Sequence, residues 1–560
     1  METTNHEMCR ALAELSVVHG VRYAVLSPGS RNAPLLVAFA REKAIKHHVV
    51  IDERVAAFMA LGMAARLQEP VALVCTSGTA LLNYAPAVAE AYYRHVPLIV
   101  ISADRPDEWI DQDDSQTIRQ RGIFAPFIKA SYHLPVDTDN ELNMWYATRM
   151  INEAILTAKT SCPGPVHVNV PLREPLCGTA EYIPGKFRKV QMMKPARQLA
   201  EDDLSELTTE FARHDRIMVF ASLLSPSASV QSALSHMADL PQVMVLTESV
   251  SNVHDPRFIP TVDRVLTAID NSEKPAFAPS LLITLGGAPI SRMAKLFLRR
   301  YAPAVHWRIG GEPHIIDTMQ NLTCQIDAEP AWLLEKLAQC PPRDSGFAAL
   351  WKERETYAGR LHSDFIESAP WSALKAYSIL FPSLPEGVSL HLSNGTSVRY
   401  AQLFNTPQVS QTYSNRGVSG IDGSTSTAIG SSCVDNGTTL LVTGDMSFAY
   451  DAGGLATGYA TPRFKVVVLC NEGGGIFRFI KGPSDLPELE ECFEVKRRIP
   501  VEGYAALHGF RFFKAASIEE LRSVLPRFWA EKEQPAMLAL ETDGVTDAAV
   551  LRAYMRRARS

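Results

Sequence analysis

Leu440–Phe479 reads LLVTGDMSFAYDAGGLATGYATPRFKVVVLCNEGGGIFRF. Leu440–Thr443 is a short apolar run, Gly444-Asp445-Met446 a turn, and a helix is predicted from about Tyr450. A second apolar run, Lys465–Cys470, ends at Asn471-Glu472-Gly473-Gly474-Gly475. Two buried strands joined by a helical crossover make a βαβ unit, with both strands parallel and their C-terminal ends on one edge. Ligands of such sheets collect at that edge. Asp445 and Asn471 stand there, 26 residues apart, each just past a strand. One carboxylate and one amide oxygen, helped by a backbone carbonyl from the glycine turn, suit a hard cation such as Mg²⁺. Because such a cation keeps positions for water and phosphate oxygens, the pair implies a diphosphate ligand. Taken singly, Asp445 is a helix cap and Asn471 a turn residue, which are common roles for both.

Outward from this unit the same alternation recurs. The first ~180 residues give strands at 23–26, 48–51, 71–76, 98–102 and 166–170, with helices of 10–15 residues between the early ones. Residues ~200–340 give strands at 217–221, 243–247, 281–285 and 304–309. From ~371 onward the strands are 388–392, 411–413, 440–443, 466–470 and 536–541. The expected fold is α/β with three doubly wound parallel-sheet domains, at 1–180, 195–345 and 371–560. Linkers are expected at 177–200, which lacks periodicity, and near 341–370, whose Trp and Tyr residues favour helical packing.

Composition bounds the function. With 46% hydrophobic and 21% charged residues, the 560-residue chain has the make-up of an ordinary globular protein. A net charge of −6 gives no footprint for nucleic acid or an anionic membrane. The longest apolar runs, such as Val96–Ala103, are too short to span a bilayer. METTNHEMCR lacks a secretory-signal pattern, and the nine cysteines are scattered without Cys-x-x-Cys spacing. Reduced thiols and a cytoplasmic location are therefore expected, with no structural zinc site.

Glu53 is the main candidate in the first domain. It follows a short strand and opens a helix, so it should lie at the ligand edge, although acidic residues also favour a helix first turn on their own account. Several motifs occur in order: Ser27-Pro-Gly-Ser-Arg31, Asp52-Glu53-Arg54, Thr76-Ser-Gly-Thr79, Ala103-Asp-Arg-Pro106 and Gln116-Thr-Ile-Arg-Gln120. Ser414-Asn-Arg-Gly-Val-Ser-Gly-Ile-Asp-Gly423, Gly444-Asp445 and Asn471-Glu-Gly-Gly-Gly-Ile-Phe477 complete the set. Gly-Asp with a later Asn resembles the signature of thiamine diphosphate enzymes. SPGSR, ADRP and SNRG-x-SGIDG resemble one family among them over essentially the whole chain. That family is the 2-succinyl-5-enolpyruvyl-6-hydroxy-3-cyclohexene-1-carboxylate synthases of menaquinone biosynthesis.

The resemblance implies a pyrimidine-binding domain, a central domain without its own cofactor, and a diphosphate-binding domain. It implies thiamine diphosphate with Mg²⁺ or Mn²⁺, held between the first domain of one subunit and the third of a partner in a homodimer or homotetramer. It implies a transferase that decarboxylates 2-oxoglutarate and adds the resulting four-carbon unit to isochorismate in a 1,4-addition. Glu53 would share a proton with N1′ of the aminopyrimidine, which makes the 4′-amino group the base for thiazolium C2. Asp445, Asn471 and Gly473 would hold the metal, and Gly444, Met446 and Ser447 would face the diphosphate. Ile421 would bend the cofactor. Both substrates carry two carboxylates, for which guanidinium forks are natural receptors. Ser30, Arg31, Arg105, Gln116, Arg292, Arg399 and Arg416 are carried over as substrate contacts, with Ile476 and Phe477 on the isochorismate side.

The chain departs from the family pattern at two places. Arg292-Met293 stands where a lysine, often followed by arginine, is usual, and Gly395 replaces a serine before Arg399. The alternative within the cofactor class is another 2-oxoacid decarboxylase or carboligase, acetohydroxyacid synthase-like, which has little need for several arginines. A regulatory or scaffold protein on this fold would lose Glu53 or the Asp445/Asn471 pair. A nucleotide-dependent oxidoreductase would show a Gly-x-Gly-x-x-Gly turn, which is absent here.

Overall fold

The buried apolar runs become parallel strands in the computed structural model, which describes residues 2–160 and 162–556. The chain is α/β, and its contacts group it into two units.

One unit comprises the stretch up to Lys194 with Gly417–Asn436 and Tyr450–Thr461. Its strands are β1 (Glu2–Thr4), β2 (Tyr23–Leu26), β3 (Lys46–Val49), β4 (Val71–Cys75), β5 (Leu98–Asp104), β6 (Ser131–His133), β7 (Val166–Pro171) and β8 (Thr179–Glu181). β1 and β8 form an antiparallel ribbon. The other six make a parallel sheet ordered β3-β2-β4-β5-β7-β6. The strand predicted at 48–51 lies two residues earlier, because Asp52 already caps the next helix with its side chain. That helix, Glu53–Leu67, is buried on every side from Val55 to Ala65. A helix apolar all round must be covered all round. Here Ser424–Cys433, a helix of small residues, crosses it closely. A Cβ on Gly62 would come within 2.0 Å of the Thr427 carbonyl oxygen, and one on Gly430 within 2.1 Å of the Met59 carbonyl oxygen, so both positions require glycine.

The second unit holds two sheets. β9 (Ile217–Ala221), β10 (Val243–Thr247), β11 (Leu281–Leu285), β12 (Val305–Ile309) and β13 (Cys324–Ile326) run in the order β10-β9-β11-β12-β13. β14 (Val388–Leu392), β15 (Val409–Tyr413), β16 (Thr439–Gly444), β17 (Phe464–Cys470), β18 (Arg511–Ala515) and β19 (Ala536–Glu541) run in the order β15-β14-β16-β17-β19-β18. All neighbours are parallel. Between the sheets, Phe347–Ser368 is one helix, anchored by the fully buried Trp351 against Phe277 and Phe297. Val250 and Ile290 from the first of these sheets' loops enter the core beneath the second.

The βαβ unit expected within Leu440–Phe479 is present, with Thr443 opposite Val468 and Gly444 opposite Leu469. The helix after β16, however, begins at Asp445 and ends at Tyr450, where it was expected to start. Gly453 and Gly454 follow, and the chain tightens into a 3₁₀ segment, Ala452–Thr457, before Gly458 turns it at φ 72°.

Candidate active site

In the second unit, Asp445 is 2% exposed. Its Oδ1 accepts the Met446 N–H at 2.7 Å, and the N–H groups of Glu472, Gly473 and Asn471 also bond the carboxylate. Burial pushes the Asp445 carboxyl up to about 7, against the pull of those four N–H groups. The Asn471 amide is oriented by Asp547, whose Oδ2 accepts from Nδ2 at 3.2 Å, which leaves Asn471 Oδ1 as acceptor. Asp547 is itself held by the Ala373 N–H at 2.6 Å and the Thr542 hydroxyl at 2.7 Å. Gly473 sits at φ 152°, where a Cβ would meet the Glu494 carbonyl oxygen at 2.7 Å. The available donors are thus oxygens carrying one carboxylate. Among the described residues no cluster of three or more His, Cys, Asp or Glu could hold a metal. This donor set fits a hard, water-retaining cation and not zinc. Gly444 closes β16, Met446 is half-buried and Ser447 is buried.

The same unit contains a cavity of about 500 Å³. Arg292, Arg399, Arg552 and Arg556 line it with a single carboxylate, Asp263, and an apolar wall that includes Ile476. Arg399 lies in a short helix, Ser397–Ala401, and not in the loop expected for it. Its Nη1 donates to the Gly395 carbonyl, and it feels the like charge of Arg416 and the opposite charge of Asp263. Gly395 has φ 101°, a conformation that strains a serine, so the departure from the family pattern has a backbone reason. Arg416 is buried outside the cavity lining, and its Nη1 donates to Asn394 Oδ1 at 2.9 Å. Phe477 packs on Phe493, with ring centres 5.7 Å apart.

In the first unit, Arg31 and Arg105 meet at a cavity of about 370 Å³, joined by Arg173. Arg31 is 6% exposed and donates to the Leu172 carbonyl at 3.0 Å and to Glu174 at 3.3 Å. Arg105 pairs with Asp114 at 2.8 Å, and Arg173 pairs with Glu108 at 2.6 Å and Asp137 at 3.2 Å. Ser30 and Gln116 are exposed and do not line this cavity. Gln116 adopts φ 53°, and its carbonyl would lie 3.2 Å from a Cβ on Gly78. Glu53 is half-buried at the first turn of its helix, whose N-terminus is capped by Asp52. Its charge reaches the buried Cys75 thiol and Tyr84 hydroxyl, both pushed up mainly by burial. Ile421 is 40% exposed.

Residues 6–123 match the family described as thiamine pyrophosphate enzyme, N-terminal TPP binding domain. That match covers most of the first unit's parallel sheet and makes its class that of the thiamine diphosphate enzymes. A synthase from Porphyromonas gingivalis named 2-succinyl-5-enolpyruvyl-6-hydroxy-3-cyclohexene-1-carboxylate synthase is 44% identical over 97% of this chain and 96% of its own length. Proteins of the same name from Christiangramia forsetii (36% identity, 99% of each chain) and Desulfotalea psychrophila (37%, 95% and 97%) match it as fully. The chain belongs to this synthase family. Among the charged residues lining these cavities, Asp263, Arg173, Arg552 and Arg556 carry no sequence-based assignment. Arg173 lies just past β7, where the strand-edge rule could have found it, whereas nothing local marks Asp263 or Arg552.

Proposed function

We propose that the protein is a transferase that decarboxylates 2-oxoglutarate and adds the four-carbon unit to isochorismate, forming 2-succinyl-5-enolpyruvyl-6-hydroxy-3-cyclohexene-1-carboxylate and CO₂ in menaquinone biosynthesis. The observation that carries this reading is the meeting of Arg292, Arg399 and Ile476 in one cavity of the second unit. Cations facing an apolar wall match a substrate with carboxylates on a hydrocarbon frame. Bound thiamine diphosphate supplies a nucleophilic carbon on which a 2-oxoacid can lose CO₂. Glu53 holds and returns the proton at the cofactor's N1′. Asp445, Asn471 and the Gly473 carbonyl hold Mg²⁺ or Mn²⁺, while Gly444, Met446 and Ser447 face the diphosphate. Ile421 would pack against the bound cofactor. Arg31, Arg105, Arg292, Arg399 and Arg416, with Ser30 and Gln116, bind substrate carboxylates, and Ile476 and Phe477 flank the isochorismate ring. The three parallel sheets support a reading as domains at 1–180, 195–345 and 371–560. The active assembly is a homodimer or homotetramer in the cytoplasm. Among the described residues, no helix is long and apolar enough to cross a membrane.

The test is direct. Protein supplied with thiamine diphosphate, Mg²⁺, 2-oxoglutarate and isochorismate should consume isochorismate and release CO₂. Equal rates with pyruvate in place of 2-oxoglutarate would refute the dicarboxylate assignment and favour an acetohydroxyacid synthase-like enzyme.

A further inference from the structure

Glu248 follows β10 directly and is 3% exposed. Among the described residues it has no ion-pair partner within contact. An isolated buried carboxylate is costly unless hydrogen bonds replace water. Burial pushes this carboxyl up to about 7 even though the N–H groups of Ser291 and Ile290 pull it down. Its oxygens accept from Ser291 N at 2.7 Å, Ile290 N at 3.0 Å and Gln402 Nε2 at 3.1 Å. Two separate elements are thereby tied to one carboxylate.

Ser291 and Ile290 lead into the helix Arg292–Arg300, whose first residue lines the second unit's cavity. The Ser291 hydroxyl accepts the Ala294 N–H at 2.9 Å and donates to Asp263, which lines the same cavity. Gln402 closes the helix that carries Arg399. Its Oε1 accepts from Ser249 N at 2.6 Å, so its amide bonds the 248–249 corner on both sides. Bonded through both its oxygen and its nitrogen, this amide links the two elements.

We propose that Glu248, acting through Gln402, is a positioning residue that sets the placement of Arg292 relative to Arg399 and hence the fit to a substrate with two carboxylates. This deepens the functional reading above and rests on it. Glu248→Ala should raise KM for 2-oxoglutarate about 10-fold while kcat falls less than about 3-fold, as expected for lost ground-state placement. Glu248→Gln should give a smaller rise, because its amide nitrogen must face a backbone N–H. The double change Glu248→Gln/Gln402→Glu restores a donor–acceptor match between the two side chains and should recover part of the loss. Melting temperature and thiamine diphosphate affinity, measured alongside, separate this from general damage. The Gln variant serves if the Ala variant fails to fold. Unchanged KM, or a fall in kcat alone, would overturn the proposal. If Arg399→Ala raises KM while the Glu248 variants do not, only the positioning role fails. If Arg399→Ala also leaves KM unchanged, the cavity is not the dicarboxylate site and the functional reading fails with it.

Discussion

The two arginine-lined cavities differ in how their charge is balanced. At the first unit's cavity, Arg31, Arg105 and Arg173 each face a carboxylate, from Glu174, Asp114, and Glu108 with Asp137. The second unit's cavity gathers Arg292, Arg399, Arg552 and Arg556 with only Asp263 as a lining carboxylate, against an apolar wall. A guanidinium already paired gains little from a second anion until the first is displaced, whereas an unbalanced cluster gains the full charge-assisted bond. On this balance the second cavity offers the freer cations. At the first, a ligand competes with carboxylates already in place, and least at Arg31, because the Glu174 side chain is 74% exposed.

Four substitutions bear on this contrast. The largest effect is expected where neither cavity is involved. Glu53→Gln should slow C2–H exchange of bound thiamine diphosphate by about 10²–10⁴-fold, the usual worth of acid–base catalysis, with cofactor affinity little changed. Exchange at the parent rate would assign activation to another group and blur the division between activating and selecting residues. Arg399→Ala should raise KM for 2-oxoglutarate by about 10- to 100-fold, in line with the loss of a charge-assisted bond. Arg31→Ala should cost less, because in the parent protein this guanidinium is already paired with Glu174. Steady-state kinetics on both variants decide the order, and a larger loss at Arg31 would invert the comparison. The smallest effect belongs to Glu174→Gln. By freeing Arg31 it should lower KM by about 2- to 3-fold, matching the small worth of an exposed ion pair. A rise in KM would make Glu174 part of the receptor and not its competitor.

How much was legible from residues alone depended on burial. β2, β9, β10, β11, β14 and β19 lie within the residues read as strands, because strands covered on both faces are continuous apolar runs. β1, β6, β8, β13 and β18 lie outside the predicted strands, β8 within the stretch expected as a linker. The first four have three residues each, and β6, β13 and β18 sit at sheet edges, where polar side chains interrupt the pattern. The helix at Asp445 was started late because Gly444-Asp445 reads as a turn, although the chain becomes helical at the aspartate itself. Among the site residues, Asp445, Asn471, Arg31 and Arg105 were visible because each stands beside a strand or in an ordered motif. Asp263 and Arg552 belong to helices with no such mark.

Strand alternation, the carboxylate and amide at the ends of β16 and β17, and Glu53 at the head of a buried helix follow from local order along the chain. Periodicity and strand-end position are properties of neighbouring residues, so the sequence by itself determines them. Which arginine is neutralised and which is left to a ligand is decided only by the tertiary structure. Arg31 and Glu174 are far apart in the chain, as are Glu248, Ser291 and Gln402, and their bonds exist because parallel strands deliver distant loops to one edge. The Asp445 and Asn471 pair marks one such edge, at the ends of β16 and β17. The packing around Glu248 decides how Arg292 and Arg399 are held in the second unit's cavity.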